Sequence, residues 1–290
     1  MDLARPDLRP DPSLSRDEME ALQREIAAAA TFDDNHGLDP AAVAVEEAAS
    51  LADGLPPARD DAQERLGTGD DEGSADVTPD PDAPTVVGVD QAFRTDRGED
   101  RPDAAVSAAV AFRGGRVIEY ASATTPLSIP YVPGLLAFRE GEPILAALDA
   151  LDVDPDLLIC DGSGRIHFRE AGLATHVGVL RDVPSVGVAK SLLCGEPDEP
   201  TVERPEGWRT PVRADDAVTT AEPGTVIGHA FQSRQYPNSK RVNPLYVSPG
   251  HRVSAATAVE FVAALCAGYK LPEPTRLADA HADRAKRDAE

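Results

Sequence analysis

Lysine is nearly missing: the chain of 290 residues has only Lys190, Lys240, Lys270 and Lys286, so arginine carries almost all of the basic charge. Aromatic residues make up 4% of it, with a single tryptophan, which leaves aliphatic side chains to build the core. No apolar run approaches the ~20 residues that a membrane helix needs. The opening MDLARPDLRPDPSLSRDE is charged and broken by proline, unlike a secretory leader. These absences predict a soluble protein of the cytoplasm with no membrane association. Cys160, Cys194 and Cys266 are odd in number, lack metal-ligand spacing and sit in apolar segments. A disulfide framework and a zinc knuckle are therefore excluded, and buried reduced thiols are predicted. Walker A, dinucleotide, C-x-x-C and H-E-x-x-H motifs are also missing, and Ser163 in Asp161-Gly162-Ser163-Gly164 has the wrong offset for a hydrolase elbow.

What is abundant is acid. The net charge is -23. With so few lysines and aromatics, this reads as adaptation to a very salty cytoplasm, where a dense carboxylate surface stays solvated. A disordered acidic tail on an ordinary surface would give the same total. Residues 1–84 hold 22 acidic and 6 basic side chains, residues 85–290 hold 29 and 22, and Pro223–Val259 holds no acid at all. With Arg234, Lys240, Arg241 and Arg252, that stretch is a candidate phosphate-binding face, although a buried strand pair would look similar.

Residues 16–30 predict a helix capped by Ser15, and Asp39–Leu51 predicts a second. Together they make a helical N-terminal extension, 1–53. Residues 54–84, rich in Pro, Asp and Gly without apolar periodicity, predict an acidic disordered linker. The compact domain is placed at 85–290. Thr85–Val89 predicts a buried strand ending in Asp90. Ala105–Phe112 and Val117–Thr125, separated by a Gly-Gly turn, predict a hairpin and hence an antiparallel meander of three strands. A helix over Ile144–Leu151, a strand over Asp156–Cys160, a helix over Ala171–Leu180 and a strand over Ser185–Val188 follow. Thr225–Phe231 and Arg241–Val247 predict a second hairpin, and Ser254 caps a helix running to Gly268. This order is that of an α/β, RNase H-like fold: a mixed central sheet with a three-strand antiparallel meander, flanked by helices.

Asp90 and Asp161 each close an apolar strand. Side by side above the sheet edge, where ligands of α/β sheets bind, two carboxylates stay ionised only around a cation, and their hard oxygens suit Mg²⁺ or Mn²⁺. A strand-terminal Asp also caps turns, and the two readings weigh equally here. Glu140, placed just before a helix starting at Pro143, reaches the same rim or simply complements that helix's dipole. His251, on a Pro-Gly loop beside Arg252, suits a phosphate-orienting or protonating role; a surface imidazole without a role is the plainer alternative. Lys190, emerging from the strand SVGVA, is either a point charge for a phosphate or a snorkelling lysine. Tyr131, stiffened between Pro130 and Pro133, presents a ring for insertion between bases or packs over the domain edge.

Six blocks, in order, resemble the endonuclease V family: VVGVDQAF (86–93), IPYVPGLLAFRE (129–140), CDGSGRIH (160–167), GLATHVGVLRDVPSVGVAKSLLCG (172–195), NPLYVSPGHRVS (243–254) and GYKLPEPTRLADAHAD (268–283). The resemblance makes 85–290 the catalytic domain. It implies that Asp90, Glu140 and Asp161 bind the metal, that His251 and Lys190 serve catalysis, and that Tyr131 is a strand-separating wedge. Gly134, Leu136, Gly162 and Leu193 would line a pocket for a flipped hypoxanthine. It further implies a monomeric DNA repair enzyme using Mg²⁺, or Mn²⁺ in its place, on DNA with deaminated purines. The reaction implied is hydrolysis of the second phosphodiester 3′ to deoxyinosine, leaving 3′-hydroxyl and 5′-phosphate ends. Cleavage of inosine-containing RNA on the same fold, and a non-catalytic nucleic-acid-binding module, are the alternatives. The family has His where Ser163 stands and a Pro-Arg-Arg-like run where Phe168-Arg169-Glu170 stands, which puts rate, metal preference and substrate range in question.

Overall fold

The computed structural model describes residues 2–58, 82–95, 102–236 and 242–288. Most of the predicted linker, residues 59–81, lies outside them, as do Lys240 and Arg241. The β-branched run after Pro84 forms β1 (Thr85–Arg94), which continues through the meander β2 (Ala104–Arg113) and β3 (Arg116–Pro126). The β2–β3 turn is made by Gly114 and Gly115, both at positive φ, as a tight right-twisted hairpin requires. Then come α2 (Leu136–Asp149), β4 (Leu157–Asp161), α3 (Leu173–Arg181) and β5 (Ser185–Ala189). The short β6 (Glu196–Pro197) and β7 (Arg209–Arg213) precede β8 (Val226–Phe231), β9 (Leu245–His251), α4 (Ala255–Leu265) and α5 (Glu273–Asp288).

Among the described residues these strands make one sheet in the order β3-β2-β1-β4-β5-β9-β8-β7-β6. The meander is antiparallel, β1, β4 and β5 are parallel, and β9 runs antiparallel to β5. This is the RNase H-like arrangement that the order of elements predicts. Alternation along β1 feeds two cores. Val87 and Val89 pack with Ile144 and Leu145 of α2, whereas Val86 lies on the opposite face, in the core that holds Leu277 and Ala278 of α5. The three cysteines are unpaired, and burial pushes each thiol up to about 12. No helix among the described residues is long and apolar enough to cross a membrane.

Residues 2–58 lie directly on this body. The helix α1 (Arg16–Ala29) has the predicted Ser15 cap, completed by Glu18 as a capping box. Leu8 and Ile26 are fully buried in the α2–α3 core. The helix predicted over Asp39–Leu51 is reduced to a single 3₁₀ turn, Pro40–Val43. Val43 and Val45 are both buried against the core that α4 lines, and the Val45 N–H bonds the Ala264 carbonyl. A helix would set residues two apart on different faces, so extended backbone wins.

Three further predictions are corrected. Asp90 lies within β1: pairing with β4 stops at Val89–Cys160, but pairing with β2 carries the strand on to Arg94. Glu140 is inside α2, which starts at Leu136, with Pro143 two turns in at the cost of one backbone bond. His251 ends β9 and is not on a loop; Pro249 is accommodated at a bulge opposite Ser185 and Val186.

One close approach fixes α5. A Cβ at Gly88 would lie 2.2 Å from the Pro274 carbonyl carbon, so the start of α5 sits directly on β1. Gly88→Ala must therefore push α5 off the sheet, and overpacking of this kind predicts a loss of about 3 kcal/mol or more in urea unfolding. An unchanged midpoint would mean that the helix is not seated there.

Candidate functional site

Gly88 has a second consequence. Asp90, two residues on, projects to the same face, under α5 and toward Asp279. Asp161 and Lys190 leave the neighbouring ends of β4 and β5, and Glu140 comes from α2. All five line one cavity of about 310 Å³, with Leu136, Gly162, Gln91 and Phe93 completing its wall.

The electrostatics are those of crowded carboxylates. Asp90 is buried; its Oδ1 accepts the Gln91 N–H at 2.7 Å, while its Oδ2 has no hydrogen-bond partner among the described residues. Burial first, and the Asp161 charge second, hold the Asp90 carboxyl far above the usual carboxylate range. Burial pushes Glu140 up to about 7 against the opposing charge of Arg139, with Asp161 adding to the rise. Asp279 is also raised, by burial and by Asp283 and Asp161. Lys190 answers part of this repulsion: its Nζ lies 2.6 Å from Asp161 Oδ2. Burial disfavours the ammonium, but the Asp161 contact outweighs that and its pKa is raised.

Among the described residues no three His, Cys, Asp or Glu side chains form a closed ligand set. The donor chemistry nonetheless fits a hard divalent cation. Every candidate ligand is a carboxylate oxygen, one buried oxygen lacks a partner, and the ionised set is unfavourable until a counter-charge arrives.

Asp90, Glu140, Asp161, Lys190, Leu136 and Gly162 thus converge. Asp279 was missed: it sits in the block 268–283, but only the docking of α5 brings it to β1. Gly134 is outside the lining, two residues before Leu136, and Tyr131 is 64% exposed on the loop before it, so the packed-edge alternative does not hold. Leu193 is half-buried and outside the lining.

His251 does not join the site. It pairs with Ser185 at the start of β5, whereas Lys190 follows the end of that strand. Five residue steps of about 3.3 Å put roughly 16 Å of strand between them. There the Thr31 N–H donates to His251 Nδ1 (3.2 Å), and the Nε2–H donates to Asp182 Oδ1 (3.1 Å). Arg252 is also turned to this far edge, bonding the Asn35 and Asp182 carbonyls, and Arg234 is paired with Glu206. The acid-free stretch is therefore largely a buried strand pair, β8–β9, and the described part does not make the cationic face it suggested. Of the family departures, Glu170 is ion-paired with Arg165 at 2.7 Å, and neither it nor Ser163 lines the cavity.

Comparison with known proteins finds the same family and fold. The model of the family described as Endonuclease V matches residues 73–280. An endonuclease V from the haloarchaeon Natronomonas pharaonis is 56% identical over 99% of this chain and 98% of its own length. The crystal structure of the endonuclease V of Streptomyces avermitilis is 32% identical, with a TM-score of 0.66 over 97% of this chain and 98% of that one. That of Ciona intestinalis, in complex with a 24mer DNA containing an inosine followed by a ribo-adenosine, shares the fold at 22% identity and TM-score 0.60, covering 94% and 98%.

His251→Ala separates the two ends of the sheet. Losing the acceptor for the part-buried Thr31 N–H should cost about 1–3 kcal/mol of stability. The cleavage rate of the folded protein should change by less than about twofold, whereas loss of an acid–base catalyst costs ~10²-fold or more. A loss of that size in folded His251→Ala would return the histidine to the chemistry.

Proposed function

The chain belongs to the endonuclease V family, and from that premise we propose that it is a divalent-cation-dependent endonuclease that nicks DNA at deoxyinosine. The proposed cut is the second phosphodiester 3′ to the lesion, leaving 3′-hydroxyl and 5′-phosphate ends. The observation that carries this reading is the convergence of Asp90, Glu140, Asp161 and Asp279, from four separate elements, on one cavity beside Lys190.

Asp90 and Asp161, with Glu140 and Asp279 at the rim, would hold the cation. Mg²⁺, or Mn²⁺ in its place, would supply the positive charge that activates water and offsets charge on the departing oxygen. Lys190, partly exposed and already tied to Asp161, can follow that carboxylate or turn to the scissile phosphate as a compact point charge. Leu136 and Gly162 offer an uncharged wall for an extruded base, and the left-handed backbone at Gly134 lies two residues before Leu136. Hypoxanthine differs from adenine in presenting an oxygen where adenine has an amine, so backbone groups can tell them apart by hydrogen-bond pattern. Tyr131, exposed and flanked by prolines, supplies a ring to fill the vacated stack.

The test is nicking of matched duplexes with and without deoxyinosine, and of an RNA carrying inosine, in high salt with Mg²⁺. Cutting confined to the deoxyinosine duplex supports the proposal; cutting of the RNA alone would overturn its DNA assignment. Asp90→Asn should abolish cutting yet raise the melting temperature in EDTA, because it removes a buried carboxyl that must either repel Asp161 or take up a proton on folding. The sign with pH follows. A carboxyl whose pKa is raised on folding binds an extra proton in the folded state, so stability is lost as pH rises. Metal-free protein should therefore lose stability as pH rises from about 4, where the unfolded carboxyl ionises, to about 9, and the part of that loss above about pH 7.5 lies beyond the ordinary histidine range. Mg²⁺ or Asp90→Asn should flatten that slope, and a slope indifferent to both would remove Asp90 from the cation site.

A further inference from the structure

The helix α1 lies outside the span matched by the family model, and nothing above gives it a task. Its residue Gln23 is 0% exposed, although it is polar and lies 111 residues from its partner. Its Nε2 donates to the Gly134 carbonyl at 2.8 Å, and its Oε1 accepts from Arg169 Nε at 2.7 Å. A carbonyl only accepts and a guanidinium only donates, so a side chain offering one of each in this orientation is required. The same Gly134 oxygen accepts from His167 Nε2 at 3.1 Å, and Arg169 Nη2 approaches it at 3.4 Å. The Arg169 guanidinium is held from behind by Glu20 of α1 at 3.5 Å. One turn back, Met19 packs with Leu135 and Phe138, and Ile129 and Val132 border that cluster. The loop that carries Tyr131 and ends in Gly134, Leu135 and Leu136 is thus gripped by α1 through apolar contact and a buried hydrogen-bond clasp.

We infer that Gln23 is a positioning residue for base recognition: it fixes the Gly134 peptide, and with it the wall of the cavity and the root of the Tyr131 loop. The inference rests on the base-extrusion reading proposed above. At Gly134, φ is +80° and a Cβ would meet Phe168 at 3.0 Å, so the peptide is confined by the Phe168 ring as well. Freed of Gln23, the loop would sample several shapes, and the ordering needed to receive an extruded base would weaken binding without touching the carboxylates.

Gln23→Leu keeps the buried volume but offers Gly134 no donor and Arg169 no acceptor. Amide hydrogen exchange at Gly134, Leu135 and Leu136 should quicken about tenfold in the full chain, the loss of one buried hydrogen bond. KM for the deoxyinosine duplex should rise about tenfold and the preference over undamaged duplex fall with it, while kcat changes less than about twofold. The Mg²⁺-induced rise in melting temperature should be unaltered. Gln23→Glu retains an acceptor for Arg169 but sets an oxygen against the Gly134 carbonyl. It should quicken the same amides and guards against a Leu variant that fails to fold. Folded variants with unaltered exchange and KM would overturn the inference. An unaltered protein with no preference for deoxyinosine would overturn the base-recognition reading instead, and loop exchange would still decide whether the clasp exists.

Discussion

Like charges forced around a small, half-closed cavity are the constraint on which the structure turns. Left alone, carboxylates relax by moving apart or by taking up protons. Here moving apart is blocked, because each acid rides on a different rigid element. Asp90 is on β1, paired with β2 there and, up to Val89, with β4. Asp161 closes β4, Glu140 is built into α2, and Asp279 rides on a helix that the bare backbone of Gly88 draws onto the sheet. What remains is protonation or a counter-charge, and Lys190 provides only one positive charge, on one side. The fold therefore stores electrostatic strain where a cation would release it, a local loss of stability of the kind found at functional sites.

How much of this the sequence reveals depends on whether the cause is local. The strands, the Gly-Gly hairpin and the Ser15 and Ser254 caps are legible because β-branched runs, positive φ and orphan N–H groups are properties of a few adjacent residues. Asp90 and Asp161 are legible as a pair because each ends an apolar run. Glu140 was placed correctly at the rim for the wrong reason: Pro143 looks like a helix start, yet the packing of Ala137 and Phe138 extends α2 to Leu136. His251 failed because Ser-Pro-Gly reads as a loop, and strand direction, which no local pattern encodes, sends it to the far edge. Asp279 and Gln23 carry no local signal for a similar reason. One depends on how a C-terminal helix docks, and the other is a polar residue in a helix whose partner is more than a hundred positions away.

The N-terminal segment connects these two edges. Its helix grips the loop beside the cavity through Gln23 and Met19, and the chain after it crosses to the opposite end of the sheet. There Thr31 meets His251 and Arg252, Asn35 meets Arg252, and Asp34 bonds Ser254 and Thr257 at the start of α4. A segment anchored at both ends couples the order of the loop to the integrity of the sheet without lying in the site itself. Its acidic residues mostly face solvent, while Leu8, Met19 and Ile26 are buried, so one stretch serves both solubility and packing.

The remaining tension is between a net charge of -23 and a polyanionic substrate. At ~1 M salt the screening length is about 3 Å, so this charge repels DNA only at contact. The same screening removes most of what arginine and lysine would gain by displacing counterions from phosphates. In the described part of the acid-free stretch, Arg234 and Arg252 are in any case engaged with protein partners. On the proposed reading, binding would come from interactions that salt does not weaken: ring stacking by Tyr131, backbone hydrogen bonds inside the cavity, and a cation that the carboxylates would hold. Each of these acts only over a short range and only if its geometry is already set. On that reading, a protein of this composition would depend more on the order of the Tyr131 loop than one that draws DNA in by charge.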